Sequence, residues 1–281
     1  FQERVLNEFN DHRYNVILKS RQLGISTLSA GYSLWMMLFQ EDKNILVIAT
    51  KQEIAKNLVT KVRYMHDSLP SWLRGETVED NKLSLRLGNG SQIKATSASG
   101  DAGRSEALSM LIIDEAAFIK GIDEIWAAAQ STLSTGGKAI VLSTPNGVGN
   151  FFHKTWLKGE NEDGWNPIKL HWTVHPERDK KWRKEQTQLL GEKIAAQECD
   201  CDFISSGYTV VDGELLKWYE ETHVQEPVER RGFDGNYWIW QQPNYSRDYV
   251  VVADVARGDG ADYSAFHVID VETVEQVAEY R

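Results

Sequence analysis

The sequence predicts an α/β fold in which helices flank a largely parallel sheet. Short, continuously apolar strands such as Asn44–Ala49 and Met110–Ile113 recur between segments that have helical spacing. Strands that are apolar on both faces are typical of parallel sheets covered on both sides by helices. The first strand also runs through a glycine turn into a helix, which is the order of elements around a phosphate-binding loop.

Each element in the first half of the chain follows from its own pattern. Tyr14–Leu18 is a short apolar run and is predicted to form the first strand, and Leu28–Phe39 is long enough for a helix. The sequence Gly88-Asn89-Gly90 marks a hairpin turn. The further predicted elements are the strand Asn44–Ala49, the helix Gln52–Leu69, the hairpin strands Leu83–Leu87 and Ser91–Ala95, and the strands Met110–Ile113 and Ala139–Leu142.

The second half of the chain is predicted to contain a helix, a connecting segment and the start of another module. Helical spacing covers Asp179–Gln197, whereas Glu214–Gln242 has weak periodicity that is typical of a linker with small strands. Asp248–Ala253 and Ser264–Val271 are predicted strands, and Gln276–Tyr280 begins a third.

Composition excludes several classes of protein. Of the 281 residues, 41% are hydrophobic and 26% charged, which is typical of globular domains and excludes a disordered or fibrous chain. The longest apolar run, near Tyr32–Phe39, is far shorter than the ~20 residues needed to cross a bilayer, so no membrane partner is expected. The two cysteines, Cys199 and Cys201, cannot form a disulfide framework.

The formal net charge of −10, from 31 basic and 41 acidic residues, argues against nucleic-acid binding by the chain as one body. The charge is uneven, however, because 15 acidic and 6 basic residues lie from Asp212 onward and the first 211 residues are nearly neutral. We therefore expect a first domain over 1–211, a linker or subdomain over 212–247 and an incomplete domain over 248–281. Because the sequence starts at Phe1 without a Met and stops just after the opening strands of the last module, we also expect it to be an internal segment of a longer protein. A basic run around Trp182 is either a solvated helix face or a surface that contacts phosphates; it contains Arg178, Lys180, Lys181, Arg183 and Lys184.

A candidate phosphate loop follows the first predicted strand. Its helix N-terminus offers free N–H groups to a phosphate, and Ser26 stands where such loops place a Mg²⁺-binding hydroxyl. The usual pattern G-x-x-x-x-G-K-[ST] is altered, since Lys19 replaces the first glycine and Ile25 the lysine, so positive charge must come from Lys19 or Arg21. Taken alone, the match favours an ordinary strand–turn–helix corner. The candidate nucleotide-binding residues are Lys19, Ser20, Arg21, Gln22, Leu23, Gly24, Ile25, Ser26 and Thr27.

Two further motifs favour the nucleotide interpretation. The strand Met110–Ile113 ends in Asp114, placed to hold Mg²⁺ through water, and Glu115, placed to polarise an attacking water. An exposed strand end that merely carries acids is the alternative. The next strand ends in small polar residues suited to sensing a γ-phosphate and passing its loss to a neighbouring element, namely Ser143, Thr144 and Asn146, although a plain turn would also fit Pro-Asn-Gly.

Together these motifs resemble the large terminase subunit of tailed bacteriophages. The resemblance rests on residues 20–24 (SRQLG), 111–118 (LIIDEAAF) and 143–147 (STPNG) in that order, and it extends from Lys19 to Asp254. It implies a P-loop ATPase fold of the RecA-like (ASCE) type, followed by the start of an RNase H-like nuclease domain. It also implies an ATP-driven motor that moves double-stranded viral DNA into a procapsid, with a C-terminal metal-dependent endonuclease.

The resemblance implies cofactors, partners and a location as well. ATP with Mg²⁺ is expected at the motor site, and Mg²⁺ or Mn²⁺ at the nuclease. Members of the family often carry the basic residue at the start of the loop, so Lys19 or Arg21 takes the role that Ile25 cannot fill. Arg104 is implied as a finger that reaches a neighbouring subunit's nucleotide, with a solvated loop arginine as the alternative. The implied partners are double-stranded DNA, the portal protein, the small terminase subunit and further copies of the chain in a ring, in the host cytoplasm and transiently docked on the procapsid.

The resemblance extends to the second module. Asp254 directly follows the predicted strand Asp248–Ala253 and is implied as a nuclease metal ligand, with Asp262 as a second contributor. The remaining ligands are expected beyond residue 281, so we expect the nuclease to be inactive in this segment. Cys199 and Cys201 lack a second ligand pair for zinc. Four spaced tryptophans are more typical of buried packing than of base stacking: Trp156, Trp165, Trp172 and Trp182.

Two alternative functions stay open from the sequence. A helicase or translocase of the DExx type shares the Asp114-Glu115 pair, although the strands that resemble RNase H argue against it. A nucleotide-binding scaffold that does not hydrolyse its nucleotide is favoured by Ile25, because an isoleucine cannot neutralise a phosphate.

Overall fold

A computed structural model describes residues 1–98, 107–134, 136–206, 213–256 and 264–280. The chain divides into two compact units, Phe1–Leu216 and Lys217–Arg281. Each unit is built around its own sheet.

The first unit carries helices on both faces of its sheet. Its elements in chain order are α1 (Gln2–Asp11), β1 (Tyr14–Lys19), α2 (Ile25–Phe39), β2 (Asn44–Ala49), α3 (Gln52–Asp67), β3 (Thr77–Asn81), β4 (Ser84–Leu87), β5 (Gln92–Ser97), β6 (Met110–Asp114), α4 (Ile122–Thr132), β7 (Lys138–Ser143), α5 (Phe151–Glu160), β8 (Asn166–Leu170), α6 (Lys180–Leu190), α7 (Glu192–Ala195), a π-helical turn (Ala196–Asp200) and α8 (Phe203–Ser206). None of the described helices is long and apolar enough to cross a bilayer.

The sheet of the first unit is mostly parallel, as the sequence predicts. The described strands lie in the order β3-β4-β5-β2-β6-β7-β1-β8. In this order, each pair of adjacent strands from β5 across to β8 is parallel. By contrast, β3 pairs antiparallel with β4, and β4 pairs antiparallel with β5. Because parallel strands share a direction, the carboxyl ends of β6, β7 and β1 meet at one edge of the sheet.

Alternation along the strands explains why they are apolar on both faces. In β1, Ile17 belongs to a core cluster that it shares with α1, α2 and α3, while Val16 and Leu18 belong to a second cluster shared with α4 and α5. Adjacent side chains of a strand point to opposite faces, so each face has its own helical cover. Phe9 of α1 and Phe152 of α5 are fully buried, one in each cluster.

Most sequence-predicted elements of the first unit are confirmed. The strands β1, β2, β4, β5, β6 and β7, the glycine-centred hairpin and the helices α2 and α3 begin and end within a few residues of the predicted bounds. The sequence does not predict six of the elements named above, because their amphipathic or short patterns stand out less: α1, α4, α5, α8, β3 and β8.

The predicted helix Asp179–Gln197 is wrong as a single element. It breaks at Gly191, whose φ of 79° and ψ of 159° lie in a region that glycine adopts almost alone. α6 ends before this residue, and α7 and the π-helical turn follow it. The break gives the chain after β8 two short helical pieces in place of one rod.

The second unit forms an antiparallel sheet. α9 (Gly213–His223) contains the division between the units, and it replaces the first part of the predicted linker with helix. The described strands β9 (Glu229–Arg231), β10 (Tyr237–Ile239), β11 (Tyr249–Asp254), β12 (Ala265–Asp270) and β13 (Gln276–Tyr280) lie in the order β11-β12-β13-β10-β9. The three strands predicted at the end of the chain are therefore confirmed.

Gly137, between α4 and β7, has no side chain and so lets its backbone lie close to that of Leu108. A Cβ atom at this position would overlap the carbonyl oxygen of Leu108 and lie 2.7 Å from Cδ2 of Leu133. We predict that Gly137→Ala lowers the free energy of unfolding by about 3 kcal/mol, because backbone has to move to relieve the overlap. Urea denaturation followed by circular dichroism measures the change.

The neighbouring Gly136 provides the control for this prediction. Its φ is +102°, but a Cβ atom there would meet nothing within 4 Å. Gly136→Ala is therefore expected to cost only the backbone strain, about 1 kcal/mol. Equal losses in the two variants would contradict the steric explanation.

Candidate nucleotide site

The three sequence motifs meet at the carboxyl edge of the parallel sheet. β7 lies between β6 and β1, with Leu142 in register with Asp114 and Ser143 in register with Leu18. This register brings the ends of the three strands to nearly the same level. The loop after β1, the acidic residues at the end of β6 and the polar residues at the end of β7 therefore surround one space.

Asp114 and Ser26 form the centre of the site. The Ser26 hydroxyl, in the first turn of α2, donates a hydrogen bond of 2.9 Å to Oδ2 of Asp114, and the main-chain N–H of Glu115 donates one of 2.9 Å to Oδ1. Asp114 is only 6% exposed. Its burial raises the pKa of the carboxyl group, and the charge of Glu115 adds to that rise, while the Lys19 ammonium and the hydrogen bond from Ser26 oppose it.

Lys19 and Glu115 form an ion pair beside Asp114. The Lys19 side chain is 7% exposed, and its Nζ lies 3.2 Å from Oε1 of Glu115. Glu115 has a φ of 55°, so the chain turns sharply as soon as β6 ends, and a 3-10 turn over Ala116–Phe118 follows. The turn leaves the Glu115 side chain partly exposed at the edge of the sheet.

The loop between β1 and α2 has the backbone of an anion-binding turn. Gln22 and Gly24 have φ values of 59° and 75°, and no hydrogen bond among the described residues uses the main-chain N–H groups of Gln22, Leu23 or Gly24. Consecutive free N–H groups in such a turn create a concave site for an anion. The N–H groups of Ser20 and Arg21 are already bound, to the carbonyl oxygens of Leu170 and Glu198.

Ile25 and Arg21 differ in their relation to the site. Ile25 is 1% exposed and belongs to the core cluster with α1 and α3, so its side chain leaves the loop surface. The Arg21 side chain is 66% exposed and pairs with Glu198 at 3.1 Å. Of the two cations that the sequence offers, Lys19 is thus the one beside the carboxylates. Thr27 faces α3, where its hydroxyl accepts a hydrogen bond of 2.9 Å from Lys61.

The polar residues at the end of β7 contact the turn that follows Glu115. Ser143 Oγ accepts a hydrogen bond of 3.2 Å from the N–H of Ala117, and Asn146 donates one of 3.1 Å to the Ala117 carbonyl oxygen. Thr144, which lies between them in the sequence, is buried. Ser143 and Asn146 therefore bind both the N–H and the carbonyl oxygen of Ala117, which lies two positions after Glu115.

Sequence reasoning missed the contribution of the chain between β8 and α8. Within the π-helical turn, Gln197 donates a hydrogen bond of 3.3 Å to Oδ1 of Asn146, and the carbonyl oxygen of Glu198 accepts one of 2.7 Å from the N–H of Arg21. A π-helical turn is often found at functional sites. It has no local sequence pattern that reveals it in advance, and these contacts join residues more than 50 positions apart.

A cavity of about 390 Å³ lies next to the loop, on the side of α1 and α3. Its lining is mostly apolar but includes the amide of Gln2 and the hydroxyl-bearing side chains of Thr27 and Tyr32. The lining residues are Gln2, Leu6, Gly24, Thr27, Leu28, Gly31, Tyr32 and Met65. Gln2 also donates a hydrogen bond of 3.4 Å to the carbonyl oxygen of Leu23. No sequence motif points to this cavity.

The basic run divides into two groups. Arg178 and Arg183 bind within the protein, Arg178 to the loop and Arg183 to Asp200 through a hydrogen bond of 2.7 Å. The other three residues are exposed on α6: Lys180, Lys181 and Lys184. Trp156 and Trp172 are buried, which confirms packing for these two tryptophans.

The remaining predicted residues lie elsewhere or outside the described ranges. Arg104 and Asp262 belong to segments that the structure does not describe. Asp254 is exposed at the end of β11, opposite Ala265. Within the described ranges, no three His, Cys, Asp or Glu residues are grouped as a metal site, and burial raises the pKa of Cys201 to about 12, which keeps its thiol neutral.

Comparison with known proteins identifies relatives of this chain. The family model described as terminase large subunit, T4likevirus-type, N-terminal, matches residues 16–218. The terminase large subunit of Thermus phage G20c is 30% identical over 188 residues, which are 60% of this chain and 36% of that protein. The chain thus spans little more than a third of the length of the curated relatives it matches.

Solved structures share the fold. The large terminase ATPase domain of Thermus phage P74-26 has a TM-score of 0.58 and 22% identity, covering 71% of this chain and 93% of that one. A large terminase from a thermophilic bacteriophage, solved in complex with ADP, has a TM-score of 0.59 and 14% identity, covering 99% of this chain and 67% of that one. At these identities the likeness concerns the fold, a mixed α/β arrangement with a mostly parallel sheet flanked by helices.

The raised pKa of Asp114 predicts a particular dependence of stability on pH. A carboxyl group whose pKa is higher in the folded than in the unfolded state binds its proton more tightly when folded, so it disfavours folding increasingly as pH rises through that pKa. We expect Asp114→Asn to be more stable than the unsubstituted chain at neutral pH, with the difference closing as pH falls.

Urea denaturation at neutral and mildly acidic pH, without nucleotide or metal, tests this dependence. The exposed Asp123, in the first turn of α4, provides the control. Asp123→Asn should show no comparable closing of the difference with falling pH. A difference for Asp114→Asn that widens at low pH would contradict the effect of burial.

Proposed function

The chain belongs to the terminase large-subunit family, and we propose that it binds ATP with Mg²⁺ at the carboxyl edge of β6, β7 and β1 and hydrolyses it to drive double-stranded viral DNA into a procapsid. The observation that carries this proposal is the hydrogen bond of 2.9 Å between Ser26 and Asp114. It joins the start of the loop helix to the end of an acidic strand, which is the pairing that holds Mg²⁺ in phosphate-loop enzymes.

The residues present fit a magnesium ion. A hydroxyl and a carboxylate are hard oxygen ligands of the kind that Mg²⁺ prefers, and Mg²⁺ usually keeps several waters beside one or two carboxylates. Ser26 and Asp114 would hold it. When bound, the ion would neutralise charge on the β- and γ-phosphates.

Lys19 is the residue that we assign to the missing charge of the altered loop. It is buried beside Asp114 and Glu115, whereas Ile25 lies in the core and Arg21 pairs with Glu198 at a largely exposed position. The free N–H groups of Gln22, Leu23 and Gly24 would bind phosphate oxygens on the other side.

Glu115 is the candidate general base. In the unliganded site its carboxylate is bound to the Lys19 ammonium at 3.2 Å. Phosphate oxygens compete for the same ammonium, so binding of the nucleotide would release Glu115 to accept a proton from the attacking water. The ion pair thus links hydrolysis to occupancy of the loop.

The base and ribose of the nucleotide are assigned to the cavity beside the loop. This cavity borders Gly24 and Thr27 at the start of α2, and it offers mostly apolar side chains with a few polar groups, among them the amide of Gln2. Such a mixture of apolar surface and few polar groups is typical of sites for flat organic ligands. The ADP and ATP-γ-S complexes of the large terminase from the thermophilic bacteriophage support a nucleotide as the ligand.

Coupling to DNA is assigned to the contacts around Ala117. Ser143 and Asn146 bind its N–H and carbonyl oxygen, and Gln197 binds Asn146. A change at Glu115 on loss of the γ-phosphate would therefore reach the loop after β7 and the π-helical turn through hydrogen bonds. The exposed lysines of α6 are the candidate DNA contacts in this unit: Lys180, Lys181 and Lys184.

The whole motor requires partners beyond this chain. We propose that further copies form a ring, that Arg104 of one copy serves the nucleotide of the next, and that the ring works with the portal protein and the small terminase subunit. A guanidinium supplied by a neighbour stabilises charge in phosphoryl transfer.

A metal-dependent endonuclease is a second proposed activity of the longer protein. The observation that favours it is the placement of Asp254 at the end of β11, the first strand of an antiparallel run with β12 and β13. A two-metal nuclease assembles such strand-end carboxylates with others. Asp254 and Asp262 would supply part of the ligand set for Mg²⁺ or Mn²⁺ in an RNase H-like domain.

The test of motor function is packaging. DNA incubated with ATP, portal-bearing procapsids and the full-length protein should become resistant to added DNase. Strand separation of a forked duplex without packaging would instead indicate a DExx-type helicase. Tight ATP binding without phosphate release, even with DNA and portal present, would indicate a non-hydrolysing scaffold.

We predict that Glu115→Gln lowers the steady-state rate of phosphate release by about 100-fold or more, because the amide cannot accept the proton of the attacking water. Binding of ATP should be retained, since the Lys19 and Ser26 contacts to the nucleotide do not involve a charge on residue 115. Phosphate release and fluorescent-nucleotide titration measure the two properties. The control Glu124→Gln, at an exposed position of α4, should hydrolyse ATP normally, and unchanged hydrolysis in Glu115→Gln would remove Glu115 from the reaction.

We predict that Lys19→Ala and Arg21→Ala differ in their effect on ATP binding. Loss of Lys19 removes the buried ammonium at the carboxylates and should weaken ATP binding by about 10- to 100-fold, the range of a charge-assisted hydrogen bond. Loss of the exposed Arg21 side chain should change the affinity by about threefold or less. Isothermal titration with ATP-γ-S measures both, and the reverse order would assign the phosphate charge to Arg21.

A further inference from the structure

Arg178 contacts the phosphate loop from a distant part of the chain. Its Nη1 donates hydrogen bonds to the carbonyl oxygen of Arg21 at 2.9 Å and to Oγ of Ser20 at 3.3 Å. Its Nη2 donates one of 3.2 Å to the carbonyl oxygen of Gln22. One guanidinium thus binds two successive carbonyl oxygens of a loop from which it is separated by more than 150 residues in the sequence.

These contacts fix the direction of two peptide units. In a trans peptide the C=O and the following N–H point in opposite directions, and the described residues contain no cis peptide bond. The carbonyl groups of Arg21 and Gln22 point toward Arg178, so the N–H groups of Gln22 and Leu23 point away from it. Both of these N–H groups have no hydrogen-bond partner among the described residues.

The loop would not hold this orientation from its own sequence alone. Gln22 has a φ of 59°, a left-handed conformation that costs a non-glycine residue energy. Rotation of the Arg21–Gln22 peptide unit would change this φ and relieve the strain. Rotation of this unit or of the next one would turn a carbonyl oxygen toward the anion, where it repels a phosphate. A guanidinium fork matched to two carbonyl oxygens opposes that rotation at both units.

Arg178 is itself held in place. Its guanidinium carbon lies 4.5 Å from the centre of the Trp182 ring. The centre of that ring lies 5.9 Å from the ring centre of the buried Trp172. Asp179 caps the N-terminus of α6 by accepting a hydrogen bond of 2.8 Å from the N–H of Trp182. The fork is therefore presented by a helix end and an aromatic stack that exist before any ligand arrives.

We propose that Arg178 is a positioning residue for the nucleotide: it orients the N–H groups of Gln22 and Leu23 toward the phosphates without touching them. The proposal rests on the proposed nucleotide-binding function. It distinguishes Arg178 from the lysines of the same basic run, which are exposed and have no such role. Because the loop binds phosphate in both the ground state and the transition state, loss of Arg178 should act mainly on affinity.

Substitution of Arg178 tests the proposal. For Arg178→Gln we expect KM for ATP and the Kd of ATP-γ-S to rise about 10- to 100-fold, with kcat changed by about threefold or less. Hydrogen exchange of the peptide that contains residues 22–24 should accelerate in the unliganded variant. Gln188→Ala, at an exposed position of the same helix, provides the control and should match the unsubstituted protein in all three measurements.

A second variant separates orientation from charge and from folding. Arg178→Lys keeps the positive charge and the fold but reaches only one carbonyl oxygen, so we expect it to retain a several-fold loss of affinity. Full recovery of affinity in Arg178→Lys would overturn positioning in favour of charge alone. Unchanged Kd and unchanged exchange in Arg178→Gln would overturn the proposal outright. Failure of the unsubstituted protein to bind ATP-γ-S would instead refute the nucleotide function itself.

Discussion

The organisation of the first unit depends on one constraint, the burial of a parallel sheet on both faces. A strand such as β1 places Ile17 in one core cluster and Val16 and Leu18 in the other, so it cannot slip by one residue without exchanging its two faces. The register between β6, β7 and β1 is fixed in this way. The ends of the strands therefore hold Asp114, Ser143 and Lys19 at nearly the same level. Apolar packing below the edge thus determines where these polar side chains lie.

The site is electrostatically self-contained without its ligand. Lys19 neutralises Glu115, Ser26 binds Asp114, and Arg21 is paired with Glu198. Burying a charge without a partner is costly, and these pairings reduce that cost in the unliganded fold, although the raised pKa of Asp114 shows that part of it is left. A nucleotide with its metal ion offers the same groups alternative partners of opposite charge. Ligand binding in this arrangement is an exchange of partners more than a filling of empty space.

The sequence reveals the strands and the motifs better than it reveals their connections. Continuous apolar runs such as those of β2 and β6 predict buried strands without ambiguity. The acidic residues after a strand and the glycine turn predict which edge of the sheet carries the site. The choice between Lys19 and Arg21 could not be made from sequence, because it depends on which side chain the sheet buries. The contacts of Arg178, Gln197 and Glu198 could not be predicted either, since they join distant segments through a helix break at Gly191 and a π-helical turn.

The two cysteines have a practical consequence for studies of motion. Both thiols are buried, and burial raises the pKa of each, so neither offers an accessible thiolate to a maleimide dye. A cysteine introduced at an exposed position would be labelled selectively, because the two natural cysteines would react little with the dye. Fluorescence measurements on this protein therefore need no prior removal of its natural cysteines, which lie next to residues that hold the loop.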